Sequence, residues 1–358
     1  MNLLFVNSTR RWGGVKSWTL RAAAGLQARG HQVWVAGRRG DPFLEACAQA
    51  GLSILPVAFG MSWSPARILQ FHRVLGRQQV DLVVGNTGRD LSTAGVAARL
   101  RGLPVVHRVG AGRDFPDTWI RRTTHRWMVR HVLIPSQAAR EELLAHYRWI
   151  HPEEVAVSWN ALEPGDPPTG ERHPRRLACL SRLAEGKGLD VLLDALEELA
   201  RRGVEFHLDL VGDGPLRPVL EARAATPVLA GRVTFHGFVR PPRPALLPAS
   251  IGVMPSPSES FAQVLLDYWD AGLAVVASDL ACVREVAGGD APLLRVPAGD
   301  SQALAALLAR LLAEPGRVAE LAAAGRSRLV EAFHPAREAE RLERLFLELV
   351  GRRPRSKA

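Results

Sequence analysis

Cysteine, lysine and long apolar runs are all scarce in this 358-residue chain. The three cysteines, Cys47, Cys179 and Cys282, are far apart and odd in number, which excludes a disulfide framework and a cysteine metal cluster and suits a reducing compartment. No stretch approaches the roughly 18 consecutive apolar residues of a membrane-spanning helix. Residues 1–7 are too short an apolar run for a signal-peptide core and are followed by Arg10 and Arg11 without a small-residue cleavage site, so they read as a first buried strand. The chain is therefore expected in the cytoplasm, free or peripherally seated on the inner face of the cell membrane. Only Lys16, Lys187 and Lys357 break an otherwise all-arginine set of 46 basic residues. Lysine at 187 therefore marks a place where a compact ammonium is wanted.

What is present is an ordinary soluble composition, 47% apolar and 23% charged, at a length that suits two domains. A net charge of +10 favours acidic partners: phosphorylated small molecules, anionic lipid or nucleic acid. No recognisable nucleic-acid module accompanies the charge, so nucleic acid is not expected among them.

Apolar runs at 3–6, 33–36, 54–57, 82–84, 105–106 and 132–134 alternate with helical patterns, as in a parallel sheet wrapped by helices. Breakers dominate residues 163–170, and 161–175 reads as a linker between a first domain, 1–160, and a second, 176–333. In the second, Val204, Phe206, Leu208 and Leu210 alternate with Glu205, His207 and Asp209 and run into Gly212-Asp213-Gly214-Pro215. Further strands are expected at 233–235, 251–254, 274–277 and 293–296, making both halves doubly wound α/β domains. Residues 334–358 read as a closing helix with a basic tail. Two such domains face to face would create a cleft at the carboxyl ends of both sheets, where loops and helix N-termini bind phosphates.

Several loop residues point to an anionic, hydroxyl-rich ligand. Gly13-Gly14, between the first strand and helix, either lets backbone N–H groups approach a phosphate or simply makes a tight turn. Arg182 and Lys187 follow the second domain's first strand and can neutralise a pyrophosphate. Gly212-Asp213-Gly214 lacks a third glycine, since Arg217 stands there, so a dinucleotide fingerprint is not met and a plain turn is an equal reading. Glu259 precedes a helical pattern whose buried face is Phe261, Val264, Leu265, Tyr268 and Trp269, and carboxylates such as Glu259 and Asp267 accept hydrogen bonds from sugar hydroxyls. If the whole stretch is helical, those two lie about 12 Å apart along its axis and serve different parts of one long ligand.

These residues in this order resemble the retaining, nucleotide-sugar-dependent glycosyltransferases of the GT-B fold, especially family 4. The resemblance covers nearly the whole chain and is strongest between Leu180 and Ala287, through Arg182, Lys187-Gly188, Gly212 to Pro215, Phe235 to Val239, and Pro255-Ser256 to Glu259. It implies two Rossmann-like domains and transfer of a sugar from a nucleoside diphosphate sugar to a hydroxyl of a glycan or lipid-linked saccharide. By resemblance, Arg182 and Lys187 hold the diphosphate. Glu259 and the N–H groups near Phe261 and Ala262 hold the sugar, Asp267 the ribose, and Gly237 to Val239 the base. Gly14 adds a backbone contact from the first domain, and the closing helix crosses back to that domain.

The chain departs from the family pattern at Asp267, usually glutamate, and at Ala262, often glycine. His107 lies a little earlier than the family's active-site histidine and is read either as that catalytic group or as a strand histidine with a structural hydrogen bond. No Asp-x-Asp occurs, so neither a metal held by that motif nor any cofactor is implied. A basic aromatic stretch, 119–131, places Arg122, Arg126 and Arg130 four residues apart near Trp119, Ile120 and Trp127. It suits an anionic membrane surface, a phosphorylated acceptor, or a plain solvated face. Two rivals remain open at this point: a nucleotide-sugar-binding protein without turnover, and a sugar-nucleotide epimerase.

Overall fold

The computed structural model describes residues 1–10, 12–170, 172–288 and 293–351. The expected basic tail, 352–358 with Lys357, lies outside the described residues. The chain divides into two units, Met1–Ala161 with the chain from Pro335 onward, and Leu162–His334.

The first unit holds one parallel sheet of β1 (Asn2–Asn7), β2 (Gln32–Arg38), β3 (Ser53–Val57), β4 (Leu82–Gly85), β5 (Val105–Arg108), β6 (His131–Ile134) and β7 (Val155–Val157). Its spatial order is β3-β2-β1-β4-β5-β6-β7. Helices cover both faces, which is why its central strands are continuous apolar runs: Leu3, Leu4, Phe5 and Val6 are all fully buried. The edge strand β7 is also apolar throughout, Val155-Ala156-Val157, but was not among the expected strands. The closing helix Pro335–Gly351 buries Leu342, Phe346 and Leu349 in this unit's core with Leu3, Phe5 and Leu26. Each such side chain contributes about 1.5–3 kcal/mol.

The second unit holds β8 (Arg176–Leu180), β9 (His207–Val211), β10 (Val233–Gly237), β11 (Ile251–Met254), β12 (Ala274–Ser278) and β13 (Leu294–Val296) in the parallel order β10-β9-β8-β11-β12-β13. The alternation predicted from residue 204 becomes a strand only at His207. Asp209, expected on an outward face, is fully buried, because a parallel sheet has no solvated face. Its carboxylate is compensated by Arg176 Nη2 at 2.8 Å and His236 Nε2 at 2.7 Å. The breaker-rich stretch expected as a free linker packs onto this unit instead: Gly165 N–H donates to Asp270 Oδ1 at 2.8 Å and Arg172 to the Ala249 carbonyl at 3.1 Å.

In each sheet the winding reverses once, between β1 and β4 and between β8 and β11. The carboxyl ends of the strands flanking such a switch point are where open α/β sheets bind ligands. Among the described residues no helix is long and apolar enough to cross a membrane.

Candidate active site

Three loops meet at the second unit's switch point. Past β8, Ser181 N–H donates to the Val211 carbonyl and Leu183 N–H to the Asp213 carbonyl, both at 3.0 Å, so the first loop lies on the second. Gly212, at φ 137°, has no room for a side chain, because a Cβ would collide with the Ser181 carbonyl oxygen. Gly188, at φ 64°, is confined in the same way by the Pro255 carbonyl oxygen of the loop after β11. The Gly212-Asp213-Gly214 turn is therefore explained by backbone packing. The same packing holds the Arg182 to Gly188 loop against the loop that carries Glu259.

That contact joins two of the expected site residues. Lys187 Nζ lies 2.7 Å from Glu259 Oε1, with the two side chains 28% and 21% exposed. An ion pair this accessible stabilises the fold by no more than about 1 kcal/mol, so it is available for exchange with a charged ligand. Arg182 is exposed and makes no ion pair among the described residues. The site thus holds one ion pair and, on the same loop as Lys187, a second cation outside that pair.

Glu259 precedes the helix as expected, but that helix starts later than its periodic pattern suggested. The helix begins only at Val264, with Gln263 as its N-cap, and Val264 is half-buried, off the buried face. Ala262 holds φ at 59°, the left-handed region that costs a non-glycine residue about 1–2 kcal/mol, and this bend ends the irregular stretch before the helix. The 12 Å helical spacing of Glu259 and Asp267 therefore does not apply. Phe261 turns inward, its ring edge-on to Phe333 at 6.0 Å. Asp267 is half-buried in the helix Val264–Asp270. Gly237 closes β10, its carbonyl accepting from Gly212 N–H at 2.8 Å, and Val239 is half-buried just beyond.

Two residues that sequence reasoning took only as core position this site. Tyr268, fully buried, donates its hydroxyl to the Val253 carbonyl at 2.9 Å and accepts Leu180 N–H at 2.8 Å, tying the ends of β11 and β8 together. Cys282 donates its thiol to the Glu259 carbonyl at 3.1 Å. Burial, then the charge of Glu259, pushes that thiol up to about 12, so it stays protonated and remains a donor.

In the first unit, Gly13 is the extended N-cap of the helix Gly14–Ala28, and Ser17 N–H donates back to its carbonyl at 3.1 Å. A Cβ on Gly14 would come no nearer than 4.0 Å to Asn160 Nδ2, so that turn is open, unlike Gly212. His107 lies on β5, buried, and lines a cavity of about 190 Å³ with Asn86, Thr87, Asp114, Arg121 and His125. Its Nδ1 is 3.2 Å from His125 Nε2. Burial, then His125, Arg121 and Arg108, holds His107 well below the usual histidine range. His125, stacked on Phe115 at 5.6 Å, is lowered to about 4, chiefly by burial. Both rings are thus neutral at pH 7. The expected basic helix is shorter than predicted, Trp119–Met128, which leaves Arg130 beyond it. Trp119, Ile120 and Trp127 are exposed on it.

The family description Glycosyltransferase Family 4 matches residues 12–165, and Glycosyl transferases group 1 matches residues 174–314. The chain belongs to the family 4-like GT-B glycosyltransferases. The transferase is 28% identical over 309 residues to a 2-deoxystreptamine glucosyltransferase of Streptomyces kanamyceticus, covering 77% of this chain and 80% of that one. It is 26% identical over 382 residues to a GDP-mannose-dependent alpha-(1-6)-phosphatidylinositol monomannoside mannosyltransferase of Mycolicibacterium smegmatis, covering 96% of each. Its fold matches that of Anabaena Alr3699/HepE, solved with UDP-glucose, at a TM-score of 0.81 and 19% identity over 97% of this chain and all (100%) of that one. The transferase thus has the two-domain, Rossmann-like GT-B architecture.

Proposed function

We propose that the transferase takes its sugar from a nucleoside diphosphate sugar and passes it, with retention at the anomeric carbon, to a hydroxyl of a glycan or lipid-linked saccharide in cell-envelope polysaccharide or lipopolysaccharide synthesis. The observation that carries this reading is the Lys187–Glu259 pair at the β8/β11 switch point, with exposed Arg182 on the same loop. A diphosphate entering there competes for Lys187 and joins it to Arg182, two cations that stabilise the charge growing on the leaving diphosphate. Glu259, released from the lysine, accepts hydrogen bonds from sugar hydroxyls. Asp267 takes the ribose, Gly237 and Val239 line the base, and the N–H groups at Phe261 and Ala262 face the sugar. The open turn at Gly13 and Gly14 in the first unit leaves its backbone donors accessible to a phosphate. In the retaining mechanism the acceptor attacks from the leaving-group face, which needs no separate base. His107, held neutral, then serves the acceptor side as a hydrogen-bonding group of its cavity.

A nucleotide-sugar donor is supported by the Anabaena complex with UDP-glucose and by the GDP-mannose dependence in the Mycolicibacterium relative's name. Because the two name different bases, neither base is carried over. The exposed Trp119, Ile120 and Trp127, beside exposed Arg122 and Arg126, support a peripheral seat on an anionic membrane surface.

The test is a thermal-shift series with UDP-, GDP-, ADP- and dTDP-sugars on the wild type and Lys187→Ala. One donor series should raise the melting temperature. In Lys187→Ala that shift should vanish and turnover should fall by about 100-fold, while intrinsic stability changes by less than about 1 kcal/mol. Unchanged turnover would remove Lys187, and with it this donor site, from the mechanism.

A further inference from the structure

The first unit carries a cluster of guanidinium groups that the donor chemistry leaves unused. β2 ends in Arg38, whose Nε donates to the Ser8 carbonyl at 2.6 Å, just past β1. Ser8 in turn donates its N–H to Asp90 Oδ1 at 3.0 Å, and its Oγ lies 2.9 Å from Thr87 Oγ1. Arg89 stands between these partners, so Ser8 bridges Arg38 to the segment that holds Arg89. Arg10, two residues beyond Ser8, is exposed. All of these lie at the carboxyl ends of β1, β2 and β4, around the first unit's switch point.

The cluster is short of acceptors. Arg38 Nη2 and Arg89 Nε are buried and have no hydrogen-bond partner among the described residues, a costly state for a charged donor. The nearest carboxylates are already engaged. Asp90, fully buried, accepts N–H groups from Ser8 at 3.0 Å, Asn86 at 3.1 Å and Thr87 at 2.9 Å. Asp41 is paired with Lys16 and accepts Phe43 N–H. Arg38 is lowered from its usual pKa by burial first and then by Arg89 and Arg10, as cations crowded without enough counter-charge are. Beside them lies an apolar lip: the Phe59 ring sits 5.8 Å from Arg38 Cζ, and Met61 and Trp63 are exposed.

We propose that Arg38, Arg89 and Arg10 form an anion site that holds a phosphate or diphosphate group of the acceptor. The proposal rests on the transferase reading above and names the acceptor class: a phosphorylated saccharide. Guanidinium forks match phosphate oxygens in a bidentate way, and those oxygens supply the acceptors that Arg38 Nη2 and Arg89 Nε lack. The phosphate has two conceivable sources, a lipid-linked saccharide whose chain leaves over the apolar lip, or a soluble phosphosugar.

Calorimetric titration with inorganic pyrophosphate reads the site directly. Pyrophosphate also suits the second unit's Lys187 site, so the titration is made on Lys187→Ala with and without Arg38→Gln and Arg89→Gln. The expected result is binding in Lys187→Ala that weakens by about tenfold or more when both arginines are replaced, with the nucleotide-sugar thermal shift of the arginine variants on a wild-type background unchanged. Should the double replacement fail to fold, Arg10→Gln alone, at an exposed position, should weaken binding about threefold without moving the melting temperature. Equal pyrophosphate binding with and without the three arginines would overturn the proposal. Cosedimentation with phosphatidylcholine vesicles, with and without phosphatidic acid, separates the sources. Binding that needs phosphatidic acid and the three arginines supports the lipid-linked source, and pyrophosphate binding without vesicle binding supports the soluble one. A lost donor shift alongside an intact pyrophosphate site would count against the donor reading alone.

Discussion

The two sheets reverse their winding in the same way, yet their switch points are built from different materials. In the second unit the loops after β8, β9 and β11 interlock through backbone, at Gly188 and Gly212, and leave a half-exposed Lys187–Glu259 pair on top. In the first unit the ends of β1, β2 and β4 are joined by side chains, buried Ser8 and Asp90 and half-buried Thr87 and Arg38. Backbone interlock admits almost no substitution but leaves the surface charges free to serve a ligand. A side-chain network tolerates a looser backbone but commits its polar atoms internally, except the two guanidinium atoms that have no partner. One topology thus provides a rigid pole with exchangeable charges and a pole whose charge is buried.

The comparison is broken most sharply at Gly188. In Gly188→Ala the new methyl meets a backbone oxygen in a loop that cannot retreat, and the left-handed φ adds strain. We expect a loss of about 3 kcal/mol or more and disappearance of any donor-induced thermal shift, checked by calorimetry. The contrasting Gly14→Ala, with open space around it, should change stability by less than about 1 kcal/mol. Equal losses at the two positions would mean that the interlock is not what separates the poles.

Next in size is Asp90. Asp90→Ala leaves three N–H groups without their acceptor in a fully buried place, a cost of about 2–3 kcal/mol. Asp90→Asn keeps one oxygen for the Asn86 and Thr87 N–H groups but turns its amide nitrogen toward the Ser8 N–H, so it should cost about 1–2 kcal/mol, less than alanine. Urea denaturation of both variants checks this, and a milder alanine than asparagine would refute the network description.

This contrast also explains what was legible beforehand. The central strands could be read because helices cover both sheet faces and leave unbroken runs such as Leu3 to Val6; β7 carries a similar but three-residue run between Glu154 and Ser158 and was passed over. Lys187 stood out as one of only three lysines, and Glu259 as a carboxylate in a short proline- and serine-rich loop before a helical pattern; the structure joins the two. Ser8, Arg38 and the Thr87–Arg89 segment are far apart in the chain, and only the strand order brings them together. The helix after Glu259 was placed too early because periodicity does not report the left-handed turn at Ala262. Tyr268 and Cys282 were legible as buried residues but not as donors to particular carbonyls, since a hydrogen-bond partner leaves no periodic trace.

A pH series sharpens the first-unit side. Glu338 on the closing helix is buried and accepts the Ser158 hydroxyl at 2.6 Å; burial raises its carboxyl to about 7. A carboxyl raised on folding contributes stability that is full below its ordinary range near 4.5 and is lost as pH rises through about 7. Asp90 acts in the same direction but is spent by about 6, whereas the lowered His107 and His125 act oppositely, adding stability as pH rises through their ordinary range near 6.5, so the Glu338 contribution is the difference between the wild type and a Glu338 variant. Over the whole window the loss that belongs to Glu338 should be about 3 kcal/mol. Glu338→Gln should flatten it, as read from urea midpoints at pH 5, 6, 7 and 8. An unchanged slope in the variant would place the titration elsewhere.

The smallest expected effect tests whether the rigid pole carries strain of its own. Ala262 is buried, holds a left-handed backbone and sits between Phe261 and the helix that carries Asp267. Glycine adopts that conformation without strain, so Ala262→Gly should stabilise the second unit by about 0.5–1 kcal/mol, the relief of the strain being partly offset by the greater freedom of glycine in the unfolded chain. If the turn is set by packing around Phe261, as its contact with Phe333 indicates, donor binding should change little while the melting temperature rises. If instead the alanine methyl limits how closely a sugar approaches the backbone, the glycine variant should lower the donor KM at unchanged kcat. A fall in stability would show that the left-handed turn is not the strained element of this pole.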